Sequence, residues 1–218
     1  MIWSIIPAKL GTSSKERLAS ILSADLRARL AGAMLADVVR TLVSCETIEA
    51  TLVVSRDDRA LDLAESGGAL PLRERGAKGL NESVRQAIGH AAENGATTVV
   101  IAMGDLPLLR PEHVRIAVER APDRGVVLVP SADGTGTNLT VVRPPTLLEP
   151  QFGPGSLALH LAQLRHHGVE VVRHECAGAA LDVDTPDDLA RLRTASRPGD
   201  ATRALLAETR DPASATAW

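Results

Sequence analysis

Two groups of charged residues carry the most chemical promise in this 218-residue sequence. Asp105 follows the apolar run 97–102 (TTVVIA) almost at once, and Asp182 and Asp184 lie at the end of a second apolar run. A carboxylate at the carboxyl end of a strand is well placed to hold magnesium, a hard cation that prefers oxygen ligands. Alternate strand positions share a face, so Asp182 and Asp184 point the same way. Asp184-Thr185-Pro186-Asp187-Asp188 is also a helix-start signature, with proline in the first turn and acids after it. Asp187 and Asp188 are therefore read as structural, and Asp105 with Asp184 as the better metal pair.

The second group lies near the N-terminus. Lys9, Lys15 and Arg17 stand among Gly11, Thr12, Ser13 and Ser14. Small residues let backbone N–H groups approach an anion, and a following helix start adds positive potential. Three cations around such a loop make a polyphosphate site; a lysine-bearing surface loop is the plainer alternative. Two more loops repeat the theme. DGTGTN (133–138) offers Thr135, Gly136 and Thr137, and FGPGS (152–156) offers Gly153, Gly155 and Ser156 at a helix start. Turn-forming glycine explains each loop taken singly. Two anion sites beside one metal site are what a transfer between a nucleotide and a phosphorylated acceptor needs.

The elements that must position these loops alternate in type. Residues 1–6 read as a buried strand stopped by Pro7, followed by a helix over 15–22 capped by Ser14. Ser23 opens a longer helix, whose Leu26, Leu30, Met34, Val38 and Leu42 make an apolar stripe. Strands follow at 50–54, 69–72, 97–102, 125–130, 139–142 and 169–173. Helices fall at 57–65, from Asn81 as cap to about Glu93, from Pro111, from FGPGS to about His167, and after Asp184. This alternation implies an α/β fold: one three-layer domain with a mostly parallel sheet covered on both faces. In such sheets the ligand sits beyond the carboxyl ends of the strands. Loops 7–17, 103–110, 131–138 and 182–187 all fall there. The domain is placed at residues 1–195, with a flexible tail over 196–218.

Composition narrows the function. Lys+Arg is 24 and Asp+Glu is 27, so there is no basic excess to grip nucleic acid. Trp3, Phe152 and Trp218 are the only aromatic residues, too few for a base-stacking platform. No apolar run is long enough to span a bilayer. Two cysteines, Cys45 and Cys176, make neither a disulfide framework nor a zinc cluster. A reducing, cytoplasmic setting is the default, and no signal peptide is read. Neither a dinucleotide fingerprint, a P-loop, G-x-S-x-G nor H-E-x-x-H occurs. None of the six histidines falls in a ligand spacing, and His166-His167 sits at a helix end, where the dipole favours a cation.

In combination, PAKLGTSSKERLA (7–19), KGLNES (78–83), MGDLPLL (103–109), DGTGTN, FGPGS and LDVDTPDDL (181–189) resemble the 2-phospho-L-lactate and phosphoenolpyruvate guanylyltransferases of coenzyme F-420 biosynthesis. The resemblance covers about residues 1–195 and implies a GT-A-like nucleotidyltransferase fold. It implies that Lys9, Gly11, Lys15 and Arg17 hold the GTP phosphates, with Gly79 and Asn81 near the base and ribose. Asp105 and Asp184 would bind magnesium, with Asp182 as a third candidate, and Lys9, Lys15, Arg17 and Asp105 would be catalytic. Thr137, Gly153 and Ser156 would bind a phosphorylated acid: 2-phospho-L-lactate, phosphoenolpyruvate or 3-phospho-D-glycerate. Gly104 departs from the pattern, standing where the family often has alanine, and removes no ligand. The partners expected are these two small molecules, with neither nucleic acid nor membrane; a homodimer is the working guess for assembly. Alternatives are a molybdenum-cofactor guanylyl- or cytidylyltransferase of the same fold, and a nucleotide-binding protein without catalysis.

Overall fold

The computed structural model describes residues 1–11, 14–76 and 79–209. Its apolar runs become seven strands: β1 (Ile2–Pro7), β2 (Ala50–Ser55), β3 (Leu70–Arg73), β4 (Thr98–Ala102), β5 (Gly125–Pro130), β6 (Thr137–Arg143) and β7 (Glu170–Arg173). They form one sheet in the order β3-β2-β1-β4-β6-β5-β7. All neighbours pair in parallel except β6, which runs antiparallel to β4 and β5.

Successive side chains on a strand serve opposite faces. In β1, Ile5 joins a core with α3 (Leu80–Glu93) and α5 (Ser156–His166). Its neighbour Ile6 joins the other core, with α1 (Ala24–Val43), α2 (Asp58–Ser66) and α4 (Pro111–Glu119). Strands buried on both sides read as continuous apolar runs, which is why β4 is TVVIA. The three-layer α/β reading holds.

The antiparallel β6 decides where the site lies. Leu139 pairs with Ala102 at the carboxyl end of β4, so β6 begins where β1 and β4 end. The loops after β1, β4 and β5 thus open on one rim. The rim is centred where β1 sends its chain to β2 on one side and has β4 on the other, a crevice of the kind that binds ligands in open sheets.

Several helix starts follow the sequence reading. Ser23 accepts a hydrogen bond from the Leu26 N–H and opens α1, and Asp57 caps α2 through the Arg59 N–H. Thr185 and Asp188 form a reciprocal capping box at α7 (Pro186–Thr194), the structural role expected of Asp188.

Other expectations fail locally. Residues 15–22 form no full helix; only Glu16–Leu18 winds, as a 3₁₀ turn. Lys15 takes a left-handed backbone (φ 55°), and the Ser14 hydroxyl donates to the Lys9 carbonyl (2.9 Å) instead of capping. The segment before Asp184 is not a strand. After α6 (Ala177–Ala180) the chain runs extended without pairing into the sheet. Leu181 and Val183 are buried, and the alternation still sends Asp182 and Asp184 to one side.

The expected tail also begins too early. Residues Asp200–Glu208 form α8, packed on α1 through Leu205 and Leu206 against Leu30 and Met34. Asp37 of α1, only 5% exposed, accepts hydrogen bonds from the N–H groups of Ala201 (2.9 Å) and Thr202 (2.8 Å). It thus caps a helix 163 residues away in sequence, counted from Asp37 to Asp200, which no local pattern announces. Residues 210–218 of the expected tail lie outside the described residues. Asp37→Ala strands the buried Thr202 N–H and the half-buried Ala201 N–H and is expected to cost about 2 kcal/mol in urea denaturation. A loss under about 0.5 kcal/mol would show that the Asp37 hydrogen bonds do not hold α8 in place.

Among the described residues no helix is long and apolar enough to cross a membrane. Cys45 and Cys176 are both free, the former buried.

Candidate active site

A cavity of about 760 Å³ opens on the rim described above. Lys9, Lys15, Arg17, Asp105, Asp182 and Asp184 line it, together with Thr137, Gly153 and Ser156. The structure therefore brings together most of the residues singled out from sequence. Gly11, Gly79 and Asn81 are not among its lining residues. Thr12, Ser13 and Lys78 lie outside the described residues.

At the base of the cavity the Lys15 ammonium bridges two carboxylates. Nζ donates to Asp105 Oδ2 and to Asp184 Oδ1, the latter at 2.7 Å. Burial of Lys15 opposes its charge, but the flanking Asp105 and Asp184 outweigh this and hold its pKa above the ordinary lysine value. The lysine side chain is 9% exposed, whereas Asp105 and Asp184 are 25% and 40% exposed, so both carboxylates remain open to a ligand.

Asp182 is held differently. Its Oδ1 accepts from Asn138 Nδ2 (3.0 Å), which also faces the carbonyls of Ala179 (3.1 Å) and Ala180 (3.0 Å). Burial raises the Asp182 pKa, with Asp105 and Asp184 adding to the effect against the Asn138 hydrogen bond. Asn138 thus splints the start of β6 to the segment carrying the acids. It lies in the DGTGTN motif, yet its role there was not read from sequence.

The loop before β6 is wired by Asp133. Its carboxylate accepts from the Ser131 hydroxyl (2.6 Å), the Thr135 N–H (2.9 Å) and the Thr135 hydroxyl (2.9 Å). These bonds, the Ser131 hydroxyl's first, pull the Asp133 pKa down to about 2. The Leu157 N–H donates to the Thr135 carbonyl (3.1 Å), so this loop is tied to the start of α5. There, Gly153 (φ 126°) and Gly155 (φ 72°) adopt backbones that side-chain-bearing residues rarely take. They turn the chain so that Ser156, 1% exposed, becomes the first residue of α5 beside the cavity.

Asn81 does not cap α3; Gly79 occupies that position. The Asn81 amide instead clamps the backbone of Phe152. Nδ2 donates to the Phe152 carbonyl (3.2 Å), and Oδ1 accepts the Phe152 N–H (2.6 Å). Both ends of the amide thereby hold the FGPGS loop. Phe152 is buried in the core beneath that loop, as an anchor, with its ring edge-on to His160 at 4.8 Å. His160 was not singled out from sequence either, because it matches no ligand spacing. Arg191 of α7 adds a further cation to the rim. At Gly104 a methyl group would meet Leu35 Cδ1 at 3.2 Å, so glycine lets α1 pack close to the loop bearing Asp105.

Comparisons with known proteins identify the family of the chain. The family model described as "Guanylyl transferase CofC like" matches residues 2–205. The chain is 40% identical over 210 residues to the phosphoenolpyruvate guanylyltransferase of Conexibacter woesei, covering 94% of each. It is 33% identical over 189 residues to the 2-phospho-L-lactate guanylyltransferase of Methanothermobacter thermautotrophicus, covering 87% of this chain and 82% of that one. A solved nucleotidyl transferase from Methanothermobacter thermautotroptrophicus has the same fold, with a TM-score of 0.66 over 88% of this chain and 95% of that one. At 17% identity that likeness concerns the fold alone. A family model spanning nearly the whole described chain, and relatives aligned almost end to end, show that the chain belongs to the CofC-like guanylyl transferases.

Proposed function

We propose that this chain transfers the guanylyl group of GTP to the phosphate of a small phosphorylated carboxylic acid, releasing diphosphate, as a step of coenzyme F-420 biosynthesis. The observation that carries the reading is the Asp105–Lys15–Asp184 bridge lining one cavity together with the loop bearing Lys9 and Arg17 and the loop bearing Gly153 and Ser156. One loop would take the triphosphate and the other the acceptor.

In this reaction an acceptor phosphate oxygen bonds to the α-phosphorus, and the bond from that phosphorus to the departing diphosphate breaks. The attacking oxygen is already anionic at neutral pH, so no protein nucleophile or strong base is required. The chain's work is positioning and charge neutralisation. Lys9, Lys15 and Arg17 supply positive charge on the nucleotide side. Thr137, the backbone around Gly153, and Ser156 at the start of α5 supply donors on the acceptor side.

The donor set fits magnesium. Asp105 and Asp184 offer oxygen ligands, and both already hold one cation, the Lys15 ammonium. Among the described residues no group of three or more metal-ligating side chains converges. Magnesium commonly uses one or two carboxylates and completes its shell with phosphate and water oxygens. Asp105 and Asp184 would hold the ion, with Asp182, one oxygen of which is tied to Asn138, in support. When bound it would neutralise phosphate oxygens and ease the departure of diphosphate.

The names of the two relatives differ in acceptor, phosphoenolpyruvate for one and 2-phospho-L-lactate for the other. These acids share a phosphate and a carboxylate and differ by few atoms, which one pocket contact can discriminate. The test is a matrix of 2-phospho-L-lactate, phosphoenolpyruvate and 3-phospho-D-glycerate against the four nucleoside triphosphates, with products identified by mass. A guanylylated acid is expected. Product with CTP alone, or with none of the acids, overturns the reading. Ser156→Ala is expected to raise the KM of the acceptor about 10-fold while leaving that of GTP within about 2-fold. The reverse pattern would assign the FGPGS loop to the nucleotide.

A further inference from the structure

His160 is fully buried in α5, next to the acceptor side of the cavity, and has no part in the mechanism above. Its two ring nitrogens face different partners. Nε2 lies 3.0 Å from the Gln151 backbone nitrogen, whose N–H donates to it. Nδ1 lies 3.3 Å from the Thr137 hydroxyl. A backbone N–H can only donate, so Nε2 must be the bare, accepting nitrogen. In a neutral ring the proton is then on Nδ1, which donates to Thr137 Oγ1. Burial keeps the ring neutral by lowering its pKa to about 4.

This settles the direction of a second proton. With Oγ1 accepting from His160, the threonine's own O–H has no acceptor among the described residues, while Thr137 borders the cavity. We propose that His160 is a positioning residue of the acceptor subsite: locked as the Nδ1–H tautomer by Gln151, it fixes the Thr137 hydroxyl as a donor toward an anionic oxygen of the phosphorylated acid. This rests on the assignment of Thr137 to the acceptor. The lock is built from the acceptor loop itself. Gln151 precedes Phe152, whose ring packs on His160 and whose backbone Asn81 holds. Seating of that loop and polarity of the threonine are thereby linked.

Two amides dissect the ring. Asn places a donor near the Nδ1 position and loses the Nε2 acceptor; Gln places an acceptor near Nε2 and loses the Nδ1 donor. His160→Gln is expected to raise the acceptor KM about 10-fold or more, with the KM of GTP within about 2-fold. His160→Asn is expected to stay within about 3-fold for both. Equal damage from the two variants, or damage to GTP and acceptor alike, would mean that His160 only fills space and would overturn the proposal.

Long-range proton–nitrogen NMR on the histidine-labelled wild-type protein reads the tautomer without relying on any variant. The Nδ1–H form is expected at neutral pH. The Nε2–H form, or an imidazolium, overturns the proposal. Thr137→Val separates the two layers of the argument. If it leaves the acceptor KM unchanged while NMR still shows the Nδ1–H form, the acceptor assignment has failed and this proposal with it, although the hydrogen bond stands.

Discussion

Asp105→Ala is expected to reduce diphosphate release about 1000-fold or more while the protein stays folded. Asp105 supplies one of the two open carboxylates at the base of the cavity, at the end of β4 where both substrates would meet. Its removal takes away a ligand for the proposed cation and alters the charge around the transferred phosphorus. The fold should survive because Asp105 is partly exposed and Lys15 retains Asp184 as a partner. Circular dichroism and a melting curve close to those of the parent, with turnover lost, are the expected pair of results. Near-normal turnover would sink the assignment of Asp105 to the chemistry.

Lys15→Met carries the second large effect. Lys15 is the cation that keeps Asp105 and Asp184 from facing each other uncompensated. Its removal is expected to lower diphosphate release about 100-fold through loss of charge beside the phosphates. It is also expected to cost about 2 kcal/mol of stability, less than for a fully buried pair because both acids are partly exposed. Magnesium offers a readout apart from activity. In the parent an added ion competes with the ammonium for the two carboxylates, whereas in Lys15→Met it meets them unopposed. Magnesium should therefore raise the melting temperature of the variant more than that of the parent. An equal response in both proteins would show that Asp105 and Asp184 are not a shared cation site.

Much of this site was legible in the sequence because its parts obey local rules. Apolar runs bounded by glycine and proline gave the strands, and Ser23, Asp57 and Thr185 marked helix starts by short-range hydrogen bonds. Asp105 was placed on the rim because strand ends share one, whereas Asp184 reaches it from an extended segment that pairs with no strand, not from the strand end read in the sequence. Three of the misses, Asn81, Asp37 and His160, have a common physical origin, since they depend on partners distant in sequence or on a buried network. Asn81 has a capping residue's chemistry but spends it on Phe152, 71 positions away. Asp37 sits in the buried stripe of α1, where its reason for being acidic is the N-terminus of α8. His160 fits no motif because its role is defined by a backbone N–H and a threonine hydroxyl. Ser14 failed as a cap because the left-handed backbone at Lys15 redirects the chain toward the two acids.

The reversed direction of β6 gathers one side of the cavity into a single piece of chain. Because β6 starts at the rim, the side of the cavity bearing Thr137, Gly153 and Ser156 is written in one contiguous stretch from Ser131 to His160. Loop 7–17 and Asp105 come from the first half of the chain, and Asp184 from beyond that stretch. On the proposed assignment, the contacts to the acceptor would therefore come from one cassette, separate in sequence from the residues proposed to handle the triphosphate. The cassette carries its own internal fasteners, Asp133 on Thr135, Thr135 on Leu157 and His160 on Gln151. Asn81 on Phe152 and Asn138 on Asp182 rivet it to the rest, together with Arg143 on Thr98 and Arg85 on Glu149.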